Sequence, residues 1–139
     1  MIYLNEQTNR LLIADAERTF PDECCGFLFG EEIENDRYIT TLQIVDNAKE
    51  GDKRRRFEIS ARDYLKAEQF ALENDVQLLG VYHSHPNHPA IPSEHDRVAA
   101  QPYFSYVIVS VQNGKYDHAR SWLLGEDFQF EEEKIDTGL

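Results

Sequence analysis

The chain is poor in the residues that staple or anchor a protein. It holds only two cysteines, Cys24 and Cys25, side by side, with one methionine and one tryptophan in 139 residues. Adjacent cysteines are sterically poor disulfide partners, which argues against a disulfide-built secreted scaffold and for a reducing compartment. Basic residues are scarce too: 14 Lys and Arg stand against 26 Asp and Glu, a formal charge of −12. General binders of nucleic acid or anionic membrane usually display a net basic surface, so neither class is expected, and a partner should be neutral or basic where it makes contact. No apolar run approaches the roughly 20 residues that span a bilayer. The opening MIYLNEQTNR also lacks the basic region and apolar run of a secretory leader. The expected location is the cytoplasm.

What is present points to one folded unit. Apolar residues make up 41% and aromatics 12%, enough for one sizeable core, so residues 1–139 are expected to form a single domain. No repeat or linker-like segment interrupts the chain. A helical pattern runs from Asn5 to Thr19 with Leu11, Leu12, Ala14 or Asp15, Ala16 and Thr19, and stops before Pro21. The apolar run Cys24 to Gly30 predicts a buried strand, with further strands at Tyr38 to Val45 and Arg56 to Ile59 around a polar loop from Asn47 to Lys53. Ser60 caps a helix from Ala61 to about Glu73, whose core stripe is expected from Tyr64, Leu65, Ala71 and Leu72. A buried strand from Val76 to His83, a short helix from Glu94 to about Ala100, and strands near Ser105 to Val111, Ala119 to Leu124 and Phe128 to Ile135 complete the series. This alternation predicts an α/β fold with a mixed, strand-rich sheet flanked by helices.

One stretch carries the chemistry. Tyr82 to Asp96, YHSHPNHPAIPSEHD, packs four of the five histidines and three of the five prolines into fifteen residues at the end of a buried strand. Residues two apart on a strand share a face, so His83 and His85 present two imidazoles together while Ser84 points away. Pro86, Pro89 and Pro92 take the chain out of the sheet through a stiff loop. Ser93 then starts a helix, and Asp96 in its first turn can return a carboxylate to the histidines. Ser93 and Asp96 alone would be an ordinary capping box. Joined to a His-x-His pair at a strand end, they form two nitrogen ligands and one oxygen ligand with a fourth position for water, which is a catalytic rather than a structural zinc arrangement. The donor set favours zinc, with other divalent metals left open.

The order His83-Ser84-His85-Pro86, six residues, Ser93, two residues, Asp96 resembles the JAMM signature of the MPN+ metalloproteases. That motif also has an upstream glutamate, commonly as P-x-E-x-C-G, and Pro21-Asp22-Glu23-Cys24-Cys25-Gly26 matches it. The likeness spans most of the chain, and the lack of long insertions is similar to the small prokaryotic members. It implies an MPN fold in which His83, His85 and Asp96 bind Zn²⁺, Glu23 is the general base and Ser93 donates to the developing oxyanion. It also implies hydrolysis of a peptide or isopeptide bond, after the C-terminal Gly-Gly of a ubiquitin-like sulfur-carrier protein.

Other residues carry less. Ser84 is expected to pack, Cys25 to be a small buried hydrophobe sharing strand parity with Glu23, and His88 and His95 to be solvated. Lys53-Arg54-Arg55-Arg56 is the one basic cluster, either a solvated loop or a dock for an acidic patch on a protein substrate. The oligomeric state is not determined by the sequence. Two rival functions differ in class. A catalytically silent MPN-type interaction module binding a ubiquitin-like partner would typically lose ligands, and none is lost here. A zinc deaminase would need C-x-x-C, and Cys24-Cys25 lacks that spacing.

Overall fold

The alternation of strand and helix patterns folds into one curled sheet with a helix on each face; the computed structural model describes residues 1–138. In chain order the elements are β1 (Ile2–Leu4), α1 (Glu6–Thr19), β2 (Cys25–Ile33), β3 (Asp36–Val45), α2 (Ala61–Glu73), β4 (Gln77–Pro86), α3 (Glu94–Ala99), β5 (Ser105–Gln112), β6 (Lys115–Leu124), β7 (Phe130–Glu133) and β8 (Ile135–Asp136). The strands lie in the order β7-β6-β5-β4-β2-β3-β1-β8, with β4 antiparallel to β2 and parallel to β5. Only Lys134 separates β7 from β8, yet these two stand at opposite ends of that order, so the sheet curls until its edges approach each other. The expected strand-rich mixed sheet is therefore present.

Strand alternation divides the core in two. Leu28 and Tyr82 face α1 with Leu12 and Ala16, while Phe27, Phe29 and Val81 face α2 with Ala67 and Ala71. All three helices begin at side-chain caps: Asn5 accepts the Thr8 N–H at 2.8 Å, Ser60 that of Asp63 at 3.1 Å and Ser93 that of Asp96 at 3.0 Å. Gly26, opposite Tyr82 in the β2–β4 ladder, is demanded by close approach, because a Cβ there would lie 2.4 Å from the Tyr82 ring.

Four expectations fail for identifiable reasons. Leu65 and Leu72 are exposed, at 56% and 85%; the buried stripe of α2 instead runs through Tyr64, Ala67, Phe70 and Ala71, with Tyr64 and Phe70 packed on Phe27 and Phe29. Arg56 to Ile59 forms no strand, because its backbone is tied to the loop at Asn47 and Ala48: the Asn47 side chain donates to Arg56 O at 3.0 Å and accepts from the Glu58 N–H at 3.0 Å, and the Ala48 N–H donates to Glu58 O at 2.8 Å. The strand expected to stop at His83 continues to Pro86, because β5 goes on pairing with it as far as Val111. The last expected strand is split, β7 pairing with β6 and β8 with β1, and the short β1 itself carries too few residues to show a periodicity.

Candidate metal centre

The site grows from the place where β4 outruns its neighbour. Cys25 at the start of β2 pairs with His83, so His85 lies beyond the β2 ladder while β5 still supports it from the other side through Ser110. The chain before β2 is nevertheless held against β4. Cys24 donates its N–H to Ser84 Oγ at 2.8 Å and accepts the Ser84 N–H at 3.2 Å. Ser84 points away from the imidazoles as expected, but it does more than pack: it registers the segment carrying Glu23. A backbone bond from Glu23 N–H to Lys53 O (2.7 Å) and a bond from the Asn47 side-chain amide to Glu23 O (3.2 Å) complete the hold.

His83 Nε2 and His85 Nε2 lie 3.2 Å apart, and Asp96 Oδ2 is 3.4 Å from the first and 3.1 Å from the second. All three residues are buried. The same Asp96 oxygen accepts the Ser93 N–H at 2.9 Å, so the helix cap and the cluster share one atom. Glu23 joins them, with one ligand atom each of Glu23, His83 and His85 lying within 4.8 Å of one another. Phe57, on the irregular segment that replaces the expected strand, stacks on His83 at 4.3 Å and fixes its ring plane. Its role depends on a contact across 26 positions and had no local signal.

The donor set fits a cation. His85 Nδ1 is 2.9 Å from Pro89 O, a pure acceptor, so its proton sits on Nδ1 and its Nε2 lone pair faces both Asp96 and His83. The His85 lone pair and the Asp96 carboxylate so placed repel unless a positive charge or a proton lies between them. Ligand atoms about 2.0–2.1 Å from a tetrahedral zinc are themselves roughly 3.3 Å apart, close to the three observed separations. Glu23 Oε1 and His83 Nδ1 are buried without a hydrogen-bond partner among the described residues, a condition that usually marks function rather than stability.

The protonation directions agree. Burial lowers His83 below the usual imidazole range despite the attraction of Asp96, which favours the neutral ring that could offer a lone pair to a cation. Burial opposes ionisation of Asp96, yet the adjoining His83 and the backbone N–H of Ser93 hold it far below the usual carboxylate range. Burial, then the charges of Asp96 and Asp52, push Glu23 up to about 9. Cys25 is pushed up to about 12, chiefly by burial, so it is a thiol and no nucleophile.

Two clefts reach the cluster. One of about 430 Å³ is lined by Glu23, His85 and Ser93 with Arg55, His88, Pro89 and Ile91; the other, about 270 Å³, touches His83, Asp96, Phe57 and His95. His88 is exposed, as expected for a solvated residue, and Lys53 to Arg56 are all exposed, with Arg55 alone at the cleft.

Residues 5–125 match the family described as prokaryotic homologs of the JAB domain. The chain is 28% identical over 113 residues to a desampylase of Pyrococcus furiosus, covering 81% of this chain and 74% of that one. It is 30% identical over 114 residues to a CysO-cysteine peptidase of Mycobacterium tuberculosis, covering 80% and 74%. Among solved structures, protein DSY2949 from Desulfitobacterium hafniense superposes with a TM-score of 0.87 at 31% identity, over 99% of this chain and 92% of that one. The family match runs from the cap of α1 to the residue after β6 and takes in every strand that supports the cluster. The chain therefore belongs to the prokaryotic homologs of the JAB domain, the small prokaryotic branch of the JAMM/MPN family.

Proposed function

We propose that the protein is a zinc-dependent peptidase or isopeptidase acting after the C-terminal Gly-Gly of a ubiquitin-like or sulfur-carrier protein. The observation that carries this is the convergence of His83 Nε2, His85 Nε2 and Asp96 Oδ2 within 3.4 Å of one another beside Glu23. The names of the two curated relatives, a desampylase and a CysO-cysteine peptidase, support hydrolysis at a protein's conjugated or extended end.

His83, His85 and Asp96 would hold the metal. When bound, zinc supplies Lewis-acid polarisation of the scissile carbonyl and lowers the pKa of water at the site. Positive charge beside Glu23 offsets both causes of its raised pKa, so the carboxylate form belongs to the loaded site. Glu23 accepts a proton from the attacking water and returns it to the leaving amine. Ser93 Oγ accepts the Asp96 N–H, which leaves its own O–H free to donate to the carbonyl oxygen as charge develops there. The cleft shared by Glu23, His85 and Ser93 receives an extended segment, and glycines at its end let the carbonyl approach without a side-chain clash.

Mass spectrometry of two fusions, a ubiquitin-like protein with a C-terminal extension joined through Gly-Gly or through Ala-Ala, tests the assignment. Cleavage of the first alone is expected. Equal cleavage of both removes the Gly-Gly reading and keeps the hydrolase; cleavage of neither, with metal bound, removes the substrate class.

A further inference from the structure

One peptide group joins two imidazoles. The Pro89 carbonyl accepts the Nδ1–H of His85 at 2.9 Å, and the N–H on the other side of that peptide, at Ala90, donates to His118 Nε2 at 3.1 Å. His118 Nδ1 faces Asp117 Oδ2 at 2.6 Å. Each link dictates the next. The Ala90 N–H needs a lone pair on His118 Nε2, which puts the His118 proton on Nδ1, where Asp117 accepts it. A donating N–H makes its own C=O a better acceptor, so the His118 bond strengthens the one that holds His85 in the Nδ1–H form.

The sheet is irregular where it must be for this. Asp117 and His118 are neighbours on β6 and would point to opposite faces of a regular strand. The β5–β6 ladder slips here, however: Ser110 pairs with His118 and Val111 with Tyr116, leaving Asp117 as the extra residue of a bulge. Bulges re-aim side chains, and this one lets the two residues meet. Trp122, four positions along the strand, donates to Ala90 O at 3.0 Å, so the fully buried Ala90 is held at both its N–H and its C=O from β6.

We infer that Asp117 and His118 are positioning residues for the metal-facing imidazole of His85, acting through the Pro89–Ala90 peptide group. The inference rests on His85 being a metal ligand, as proposed above.

The test compares wild type with His118→Leu, which removes the acceptor, and His118→Gln, whose amide oxygen can replace it. Co²⁺ affinity and the Co²⁺ absorption spectrum are measured on full-length protein, and ¹⁵N-resolved imidazole spectra report the His85 tautomer in the chelator-treated protein. His118→Leu is expected to weaken Co²⁺ binding about tenfold to a hundredfold, alter the spectrum and give a mixture of His85 tautomers, with His118→Gln recovering most of each. If His118→Leu fails to fold, Asp117→Ala carries the test, with a several-fold loss of Co²⁺ affinity expected because the His118 tautomer is freed. Wild-type affinity and an unchanged His85 tautomer in whichever variant folds would overturn the inference. A wild type that takes up no metal, while its His85 tautomer still follows residue 118, would overturn the proposed function and leave the positioning role standing.

Discussion

The two faces of β4 bury polar groups within four consecutive residues and treat them differently. On one face, Tyr82 donates to Asp15 Oδ2 at 2.9 Å, Asp15 Oδ1 takes Arg18 at 2.5 Å and Thr19 at 3.4 Å, and Ser84 closes with Cys24. Donors there meet acceptors. On the other face, His85 and Asp96 bring two acceptors together, and Glu23 Oε1 and His83 Nδ1 stay buried without a partner among the described residues. Burial of polar groups alone therefore does not mark a site; what marks it is burial that hydrogen bonds within the chain fail to balance.

That contrast can be broken by substitution. Replacing His83 or Asp96 by Ala should abolish zinc retention, measured by elemental analysis after desalting, together with all cleavage of the Gly-Gly fusion. Retention of about one zinc per chain by either variant would contradict the ligand assignment. Glu23→Gln should keep the metal and lose about 10²–10⁴-fold in turnover, since the base is removed while the ligands stay. Full activity in that variant would end the role of Glu23. Ser93→Ala should lower kcat by about tenfold to a hundredfold with a smaller change in KM, because the bond it removes forms as the oxyanion develops.

The closed face should answer through stability instead. Tyr82→Phe takes a donor from buried Asp15 and should cost about 1–3 kcal/mol in urea unfolding, with kcat of the folded protein unchanged. A large kcat effect there would blur the distinction between the faces. The remaining effect is a pH slope. In chelator-treated protein the Glu23 carboxyl is raised from 4.5 to about 9, so the folded state binds the proton more tightly than the unfolded chain. Stability from this group is complete below about 4.5 and is lost as pH rises through 9. Unfolding free energies from urea titrations should accordingly fall by about 1.4 kcal/mol per pH unit between pH 6 and 8, and Glu23→Gln should flatten the fall. A midpoint that rose with pH and did not respond to Glu23→Gln would contradict the assignment of that burial cost.

The sequence alone determined whatever depends on neighbours within a few positions. Strand parity put His83 and His85 on one side and Ser84 on the other, the Ser93-x-x-Asp96 spacing set a capping box that the structure contains, and the three helices were foreseen with Asn5, Ser60 and Ser93 at their starts. Glu23 was selected only through resemblance to a family motif, because nothing in its surroundings ties it to residues 60 positions away. Tertiary structure alone decided that Ser84 pins the Glu23 segment, that Phe57 covers His83 from a stretch that reads locally as a strand, and that His118 supports the loop behind His85. It also decided which side of α2 is buried, turning Leu65 and Leu72 to solvent in favour of Tyr64 and Phe70. The reason is common to all of these. Periodicity and caps are set by the 3.6-residue and two-residue repeats of the backbone, whereas a stacking partner, a bulge or a buried stripe is chosen by which distant surface the sheet happens to present.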